Sequence, residues 1–321
     1  MVIYVKYSIF AFILTAFFGK ILIPVLKRLK IGQNERTDGP RAHLKKQGTP
    51  TMGGIMMIIT IIIMSIIYCL FNKENAIPFL AVAIASLGFG IVGLVDDFKK
   101  VVLKNTEGLN PKLKMLGLLI ISALYTMFLL NYINIGTDIF IPILNYNILL
   151  PVWLYIPFTI FVMLGSTNAV NLTDGVDGLA GSVSAIMITA LSVIAIKLNY
   201  ITISVYGAIL VGCCCGFLIY NFYKAKVMMG DTGSLLLGGV ISSMAIYMKL
   251  PLMLIIIAII PIVETLSVIL QVLYFKKTGN RLFRMSPLHH HFELSGWREN
   301  KVVAVFSLIT FIASTVAVIL I

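Results

Sequence analysis

Ten apolar runs, each long enough or nearly so to cross about 30 Å of hydrocarbon, dominate this chain of 321 residues. They lie near 3–24, 52–71, 76–95, 112–131, 151–168, 178–197, 202–220, 234–249, 251–275 and 301–321. In lipid every backbone polar group must find its partner internally, so runs of this length can only be helices. The predicted fold is therefore all-α: a polytopic membrane protein of ten transmembrane helices in a single domain, 1–321. The run at 234–249 is short, and that at 251–275 contains Pro261, which is expected to kink it, followed by Glu264. The first run lacks a small-residue cleavage site and reads as a retained helix.

Charge gives the orientation. Only 12% of the residues are charged, yet the net charge is +12. Twenty of the 25 basic residues fall in the loops after runs one, three, seven and nine. The positive-inside rule puts these loops in the cytoplasm and both termini outside. No continuous basic face exists, so a nucleic-acid partner is not expected. The four cysteines show neither metal-ligand spacing nor a disulfide framework, and read as packing residues.

Five of the thirteen acidic residues sit where these helices end on the basic side: Asp96, Asp97, Asp174, Asp177 and Asp231. The opposite loop at 132–150 carries only Asp138. If the third helix continues past Asp97, Asp96 and Lys100 are i,i+4 and share a face. Adjacent carboxylates at a negatively poled helix C-terminus repel, and a bound cation relieves that. Oxygen-only ligands suit Mg²⁺, which binds through one or two carboxylates plus substrate phosphates. In 168–178 the spacing of Asn171, Asp174 and Asp177 lets one helical turn present all three, while Gly175 and Gly178 allow close approach of a ligand. Amide and carboxylate groups together suit a nucleobase and ribose; a plain capping loop is the alternative. Gly230-Asp231-Thr232-Gly233-Ser234 reads as a turn into a helix, with either an anion site at its N-terminus or an ordinary cap. A basic, glycine-rich stretch at 39–54 contains His43, Lys46 and Thr51, and three histidines follow one another at His289, His290 and His291.

Together these segments resemble one family. Lys-x-Gly-Thr-Pro-Thr-Met-Gly-Gly, Asp-Asp-x-x-Lys, Asn-Leu-Thr-Asp-Gly-x-Asp-Gly-Leu, Gly-Asp-Thr-Gly-Ser and Pro-Leu-His-His-His-Phe-Glu occur in order between residues 36 and 298. This set is similar to the phospho-N-acetylmuramoyl-pentapeptide transferases, within the polyprenyl-phosphate N-acetylhexosamine-1-phosphate transferase superfamily. The resemblance implies a bacterial cytoplasmic membrane, a cytoplasmic Mg²⁺-dependent site, and transfer of phospho-MurNAc-pentapeptide from its UDP form to undecaprenyl phosphate. It implies Asp231 as the Mg²⁺ ligand, Asp96 and Asp97 beside it, and His289 and His290 near the diphosphate. It implies Lys46, Thr51, Asn171, Asp174, Asp177, Asn221 and Gly230 along the uridine-diphosphate site. A homodimer, and nucleoside antibiotics such as tunicamycin as occupants of that site, are implied as well.

The chemistry asks mainly for charge screening, because one phosphate anhydride replaces another. Lys100 or Lys112 would offset the repulsion between lipid phosphate and sugar nucleotide. Asp96 as general base faces an obstacle. Phosphate monoesters have a second pKa near ~6, so an aspartate near ~3.9 is the poorer proton holder by roughly 3 kcal/mol. Metal positioning is favoured for Asp96 and Asp97, with a base role or a covalent aspartyl intermediate as alternatives. A secondary transporter would place its charges at the membrane midplane. The Asp-Gly-x-x-Ala-Arg pattern of CDP-alcohol transferases is absent. A UDP-GlcNAc-using relative is the competing reading.

Overall fold

The computed structural model describes residues 2–28, 48–101 and 108–321; Lys46 and His43 fall outside them. Twelve helices follow in chain order: α1 (Val2–Arg28), α2 (Gly54–Phe71), α3 (Ala76–Val101), α4 (Pro111–Phe128), α5 (Val152–Thr173), α6 (Leu179–Lys197), α7 (Ile201–Asn221), α8 (Gly230–Tyr247), α9 (Leu254–Ile257), α10 (Ile259–Thr278), α11 (Leu288–Leu294) and α12 (Glu299–Ile319). One hairpin interrupts the α-helical pattern: β1 (Asp138–Ile141) pairs antiparallel with β2 (Tyr146–Leu149). It is tied to the end of the α8 connection by a hydrogen bond from Phe140 N–H to the Lys249 carbonyl and by the Lys249–Asp138 ion pair.

Nine helices among the described residues are long and apolar enough to cross a membrane. They coincide with nine of the ten expected runs. The run at 234–249 is different in kind. It becomes α8, 18 residues long, in which every residue from Thr232 to Tyr247 is buried. A helix covered on all sides by protein has no need of lipid-soluble side chains, which accounts for its glycines, serines and threonine. α3 and α5 pack against it most extensively, so α8 forms the axis of that half of the molecule.

The run at 251–275 is also not one helix. A short turn at Pro251–Met253 and α9 lead to a break at Ala258, where φ/ψ are −96°/30°, and α10 starts afresh at Ile259. The kink expected at Pro261 is therefore displaced by three residues. Pro261 occupies the first turn of α10, where a missing N–H costs nothing because no intrahelical acceptor precedes it. Beyond Ser267 the helix leaves the bundle: Leu273 and Phe275 are exposed, and the helix stops at Gly279 in the left-handed conformation. Cys213 and Cys214 pack in the core, Cys215 faces outward, and all four thiols are free.

The α3–α8 contact depends on Gly93. A Cβ built there would lie 2.1 Å from the Asp231 carbonyl oxygen, closer than any atom pair tolerates. Gly165 of α5 offers a control, because nothing lies within 4 Å of the corresponding position. Gly93→Ala is expected to cost at least about 1–3 kcal/mol by forcing α3 from α8, lowering the thermal midpoint of the detergent-solubilised protein by several degrees, whereas Gly165→Ala should leave it unchanged.

Candidate active site

The acidic ends of α3, α5 and α8 meet at one end of the bundle. α3 does continue past Asp97, so Asp96 and Lys100 share a face, with the ammonium 2.7 Å from Asp96 Oδ2. The same ammonium lies 2.8 Å from Asp231 Oδ2. A second ammonium, from Lys114 of α4, sits 2.8 Å from that oxygen and 3.4 Å from Asp96 Oδ2. Asp96 and Asp231, 135 residues apart in sequence, thus share two cations. Asp96 Oδ1 accepts a hydrogen bond from Leu109 N–H at 2.7 Å. Asp231 Oδ1 accepts one from the Asn171 side chain at 2.7 Å, and Asn171 also donates to Ser234 at 2.8 Å.

Lys112 is exposed and takes no part in this pair of carboxylates. α4 starts at Pro111, with Asn110 accepting from Lys112 N–H at 2.9 Å. Lys114 lies two residues on, about 200° round the helix, so when one lysine faces the aspartates the other faces away. Sequence reading missed Lys114 because the helix start sets this phase.

Asp97 has a different task from Asp96. Its Oδ1 accepts from Asp231 N–H at 3.2 Å, and its Oδ2 accepts from Thr232 N–H at 2.9 Å and from the Thr232 hydroxyl at 2.6 Å. The anion expected at the α8 N-terminus is therefore a carboxylate of the same chain, supplied by α3. Neither Asp231 nor Thr232 caps its own helix. Gly230, the first residue of α8, has φ +72°, and Asp97 Oδ2 and Thr51 Oγ1 lie against it. Thr51 is held there because the chain around it is stitched to the approach to α8: Met228 N–H donates to Pro50, Gly53 N–H to Met228 and Gly54 N–H to Met229.

Asp174 follows the last residue of α5 and precedes a loop that enters α6 through Gly178, so neither Asp174 nor Asp177 caps α6. Asp177 is buried and accepts from Ala225 N–H at 2.9 Å. Asn221 accepts from Gly178 N–H at 3.0 Å and donates to the Val227 carbonyl at 2.9 Å. These two side chains clamp the 174–178 loop to the 222–229 loop. Burial pushes the Asp174 carboxyl up to about 8, helped by the charges of Asp231, Asp97 and Asp177. Asp231 moves the other way. Burial opposes its ionisation, but the hydrogen-bond link to Asp96 and the ammoniums of Lys114 and Lys100 hold it below the usual carboxylate range.

The histidines come in from α11. His289 is fully buried and its Nδ1 lies 3.1 Å from Glu264 Oε2 of α10. His290 Nδ1 pairs with Glu293 at 2.8 Å, and His291 Nδ1 accepts from Arg284 N–H at 3.2 Å. Glu264 stood out in the sequence as an intramembrane carboxylate and His289 as a motif histidine; that the two pair, 25 residues apart, did not.

The fold and site are those of a polytopic membrane protein with two lysine ammoniums gathered by paired carboxylates at one end of its bundle. Residues 79–249 match the family model described as glycosyl transferase family 4. The chain is 47% identical over 310 residues to a phospho-N-acetylmuramoyl-pentapeptide-transferase of Clostridium perfringens, covering 96% of each chain. It is 48% identical to that of Clostridium kluyveri, covering 95% of this chain and 97% of the relative, and 45% identical to that of Halalkalibacterium halodurans, covering 93% and 91%. The chain belongs to the phospho-N-acetylmuramoyl-pentapeptide-transferase family.

Two outcomes follow from the geometry. Lys114→Met is expected to reduce transfer at least about 100-fold, as removal of a preorganised charge donor does, while Lys112→Met keeps a rate near that of the parent; a coupled UMP-release assay reads both. Asp174 holds its proton in the folded protein up to about pH 8 and in the unfolded chain only to about 4. The stability it contributes is full below pH 4 and is lost as pH rises through about 8. Thermal midpoints measured from pH 5 to 9 should decline more steeply for the parent than for Asp174→Asn.

Proposed function

We propose that this protein transfers phospho-N-acetylmuramoyl-pentapeptide from its UDP derivative to undecaprenyl phosphate, giving lipid I and UMP for peptidoglycan synthesis. Family membership over nearly the whole chain supports the reaction. The observation that carries the site assignment is the pair Asp96 and Asp231, drawn from α3 and α8 onto the shared ammoniums of Lys100 and Lys114.

Mg²⁺ belongs to the same proposal. Among the described residues no group of three histidine, cysteine, aspartate or glutamate side chains gathers closely enough to cage a metal. Mg²⁺ does not require such a cage, since one or two carboxylates with substrate phosphates suffice. Asp231 and Asp96 fit, being oxygen donors whose Oδ2 atoms already converge on one cation. Asp96 and Asp231 would hold Mg²⁺, which would supply charge neutralisation to the donor phosphates.

The residues themselves divide the remaining work. Lys100 and Lys114 screen the two phosphates that must approach, and the lipid phosphate oxygen attacks the sugar-linked phosphorus as the bond to UMP breaks. Asp97, with both oxygens committed to α8, holds the site's frame, which favours direct attack over an aspartyl intermediate on that residue. Asn171, Asp174 and Thr51 line the side where the nucleotide would lie, with Asp177 and Asn221 keeping its wall closed. Lys46 joins them on the strength of the motif alone. The apolar, exposed outer half of α10 suits the prenyl tail of the acceptor.

The excess of basic residues in the loops at this end supports a cytoplasmic orientation in a bacterial membrane, with both termini outside. A homodimer, and occupation of the nucleotide side by nucleoside antibiotics such as tunicamycin, rest on the motif resemblance. Purified protein with Mg²⁺ and undecaprenyl phosphate is expected to release UMP from UDP-MurNAc-pentapeptide and not from UDP-GlcNAc. Release from UDP-GlcNAc alone would overturn the muramoyl assignment, and an unchanged rate with EDTA would overturn the metal.

A further inference from the structure

Glu264 is buried, 1% exposed, in a helix that crosses the membrane. An ionisable side chain at that depth needs a reason. Both of its oxygens are spoken for by one residue. Oε1 accepts the backbone N–H of His289 at 3.1 Å, and Oε2 meets Nδ1 of the same ring at 3.1 Å. The first contact fixes where the residue begins, and the second fixes how the ring is rotated. Capping α11 would need only the first.

An ionised carboxylate only accepts, so the Nδ1 beside it carries the hydrogen. The other ring nitrogen is then set as well: bare in the neutral ring, N–H in the charged one. His289 Nε2 is buried and has no hydrogen-bond partner among the described residues. It points at Gly175, where a Cβ would stand 2.0 Å from it. Any other residue at 175 would collide with the nitrogen. Gly175 follows Asp174, whose carboxyl faces the Gly230 backbone at the start of α8. The orphaned nitrogen therefore ends at the seam between the 174–178 loop and the residue preceding Asp231. His290 packs on the same ring, centroids 4.1 Å apart, with its own Nδ1 taken by Glu293.

We propose that Glu264 is a positioning residue that holds His289 in its Nδ1-protonated form and reserves Nε2 for a phosphate oxygen of the sugar-nucleotide donor. The inference rests on the transfer reaction proposed above and adds to it the group that prepares the histidine. Donor binding moves the Gly175 backbone off the nitrogen. As that backbone moves aside, the ring takes a proton from solvent water at Nε2, and Nε2–H donates to a phosphate oxygen whose charge grows as the bond to UMP lengthens. The carboxylate behind Nδ1 stabilises that charged ring, the arrangement by which a buried acid supports a working imidazole elsewhere.

The chain has four histidines, so ¹⁵N-histidine labelling of the detergent-solubilised protein gives a spectrum in which His289→Ala identifies the ring. The expected result is an Nδ1–H tautomer whose Nε2 resonance shifts on addition of UDP-MurNAc-pentapeptide. An Nε2–H tautomer, or no shift with bound donor, overturns the proposal, and this reading needs neither a Glu264 variant nor turnover. In kinetics, Glu264→Gln should lower kcat about 10–100-fold, as loss of a carboxylate behind a working histidine does, with KM for the donor little changed. In a His289→Ala background the same change should add nothing. Losses that multiply in the double variant would make Glu264 a helix cap only. Absence of turnover in the parent protein would sink the reaction but leave the tautomer measurement standing.

Discussion

Three hydrogen bonds from the N-terminus of α8 to Asp97 hold the site together. The first N–H groups of a helix have no partner within it and carry the positive pole of its dipole. Away from water those groups must be satisfied, and here an acid on a neighbouring helix does so. The consequence reaches beyond local stability. Asp97 fixes the height of α8 against α3, and so fixes Asp231 relative to Asp96, the next residue along α3 from the anchor. One carboxylate of the Asp-Asp pair builds the frame and the other meets the shared ammoniums of Lys100 and Lys114. Gly93, one turn earlier, lets the backbones approach closely enough for the grip to form.

Charge in the cluster is distributed unevenly, and the unevenness is useful. Lys100 and Lys114 stabilise ionised Asp231, while burial and its negative neighbours leave Asp174 protonated near neutral pH. On the proposed reaction, a site with all five aspartates ionised against two ammoniums would repel the phosphates it has to bind. Keeping Asp174 neutral would reduce that repulsion on the proposed nucleotide side without removing a hydrogen-bonding group. Asp177, committed to a backbone N–H of the 222–229 loop, places its charge in the wall rather than in the opening.

Much of this was legible in the amino-acid order, and what was not has identifiable causes. Apolar length gave nine helices because hydrocarbon thickness imposes it on lipid-facing segments. α8 escaped that rule, being enclosed by protein, so its polarity reported burial rather than depth. The Asp96–Lys100 pair was readable because both lie on one continuous helix. Lys114 was not, because a two-residue shift reverses a helix face and the start of α4 at Pro111 was not known. Asp96 and Asp97 look equivalent in sequence, and only the approach of α8 separates them. The break at Ala258 carries no sequence mark, whereas Pro261 drew attention and turned out to lie where proline is harmless.

That break matters for more than helix count. A continuous helix over 251–275 would align Glu264 with the bundle axis; the interruption at Ala258 lets α10 take its own direction, with its first turns against α5 and its later turns free of the bundle. The same helix then serves two environments. Its buried start presents Glu264 to His289, and its exposed remainder presents an apolar surface to lipid. Since α11 follows α10 through a short connection, a histidine on α11 can return beneath the helix to reach that glutamate. On the proposed reaction, water-soluble donor and lipid-soluble acceptor meet at one phosphorus, and a helix that carries a buried acid at one end and a lipid-facing surface at the other would connect the two sides of that meeting.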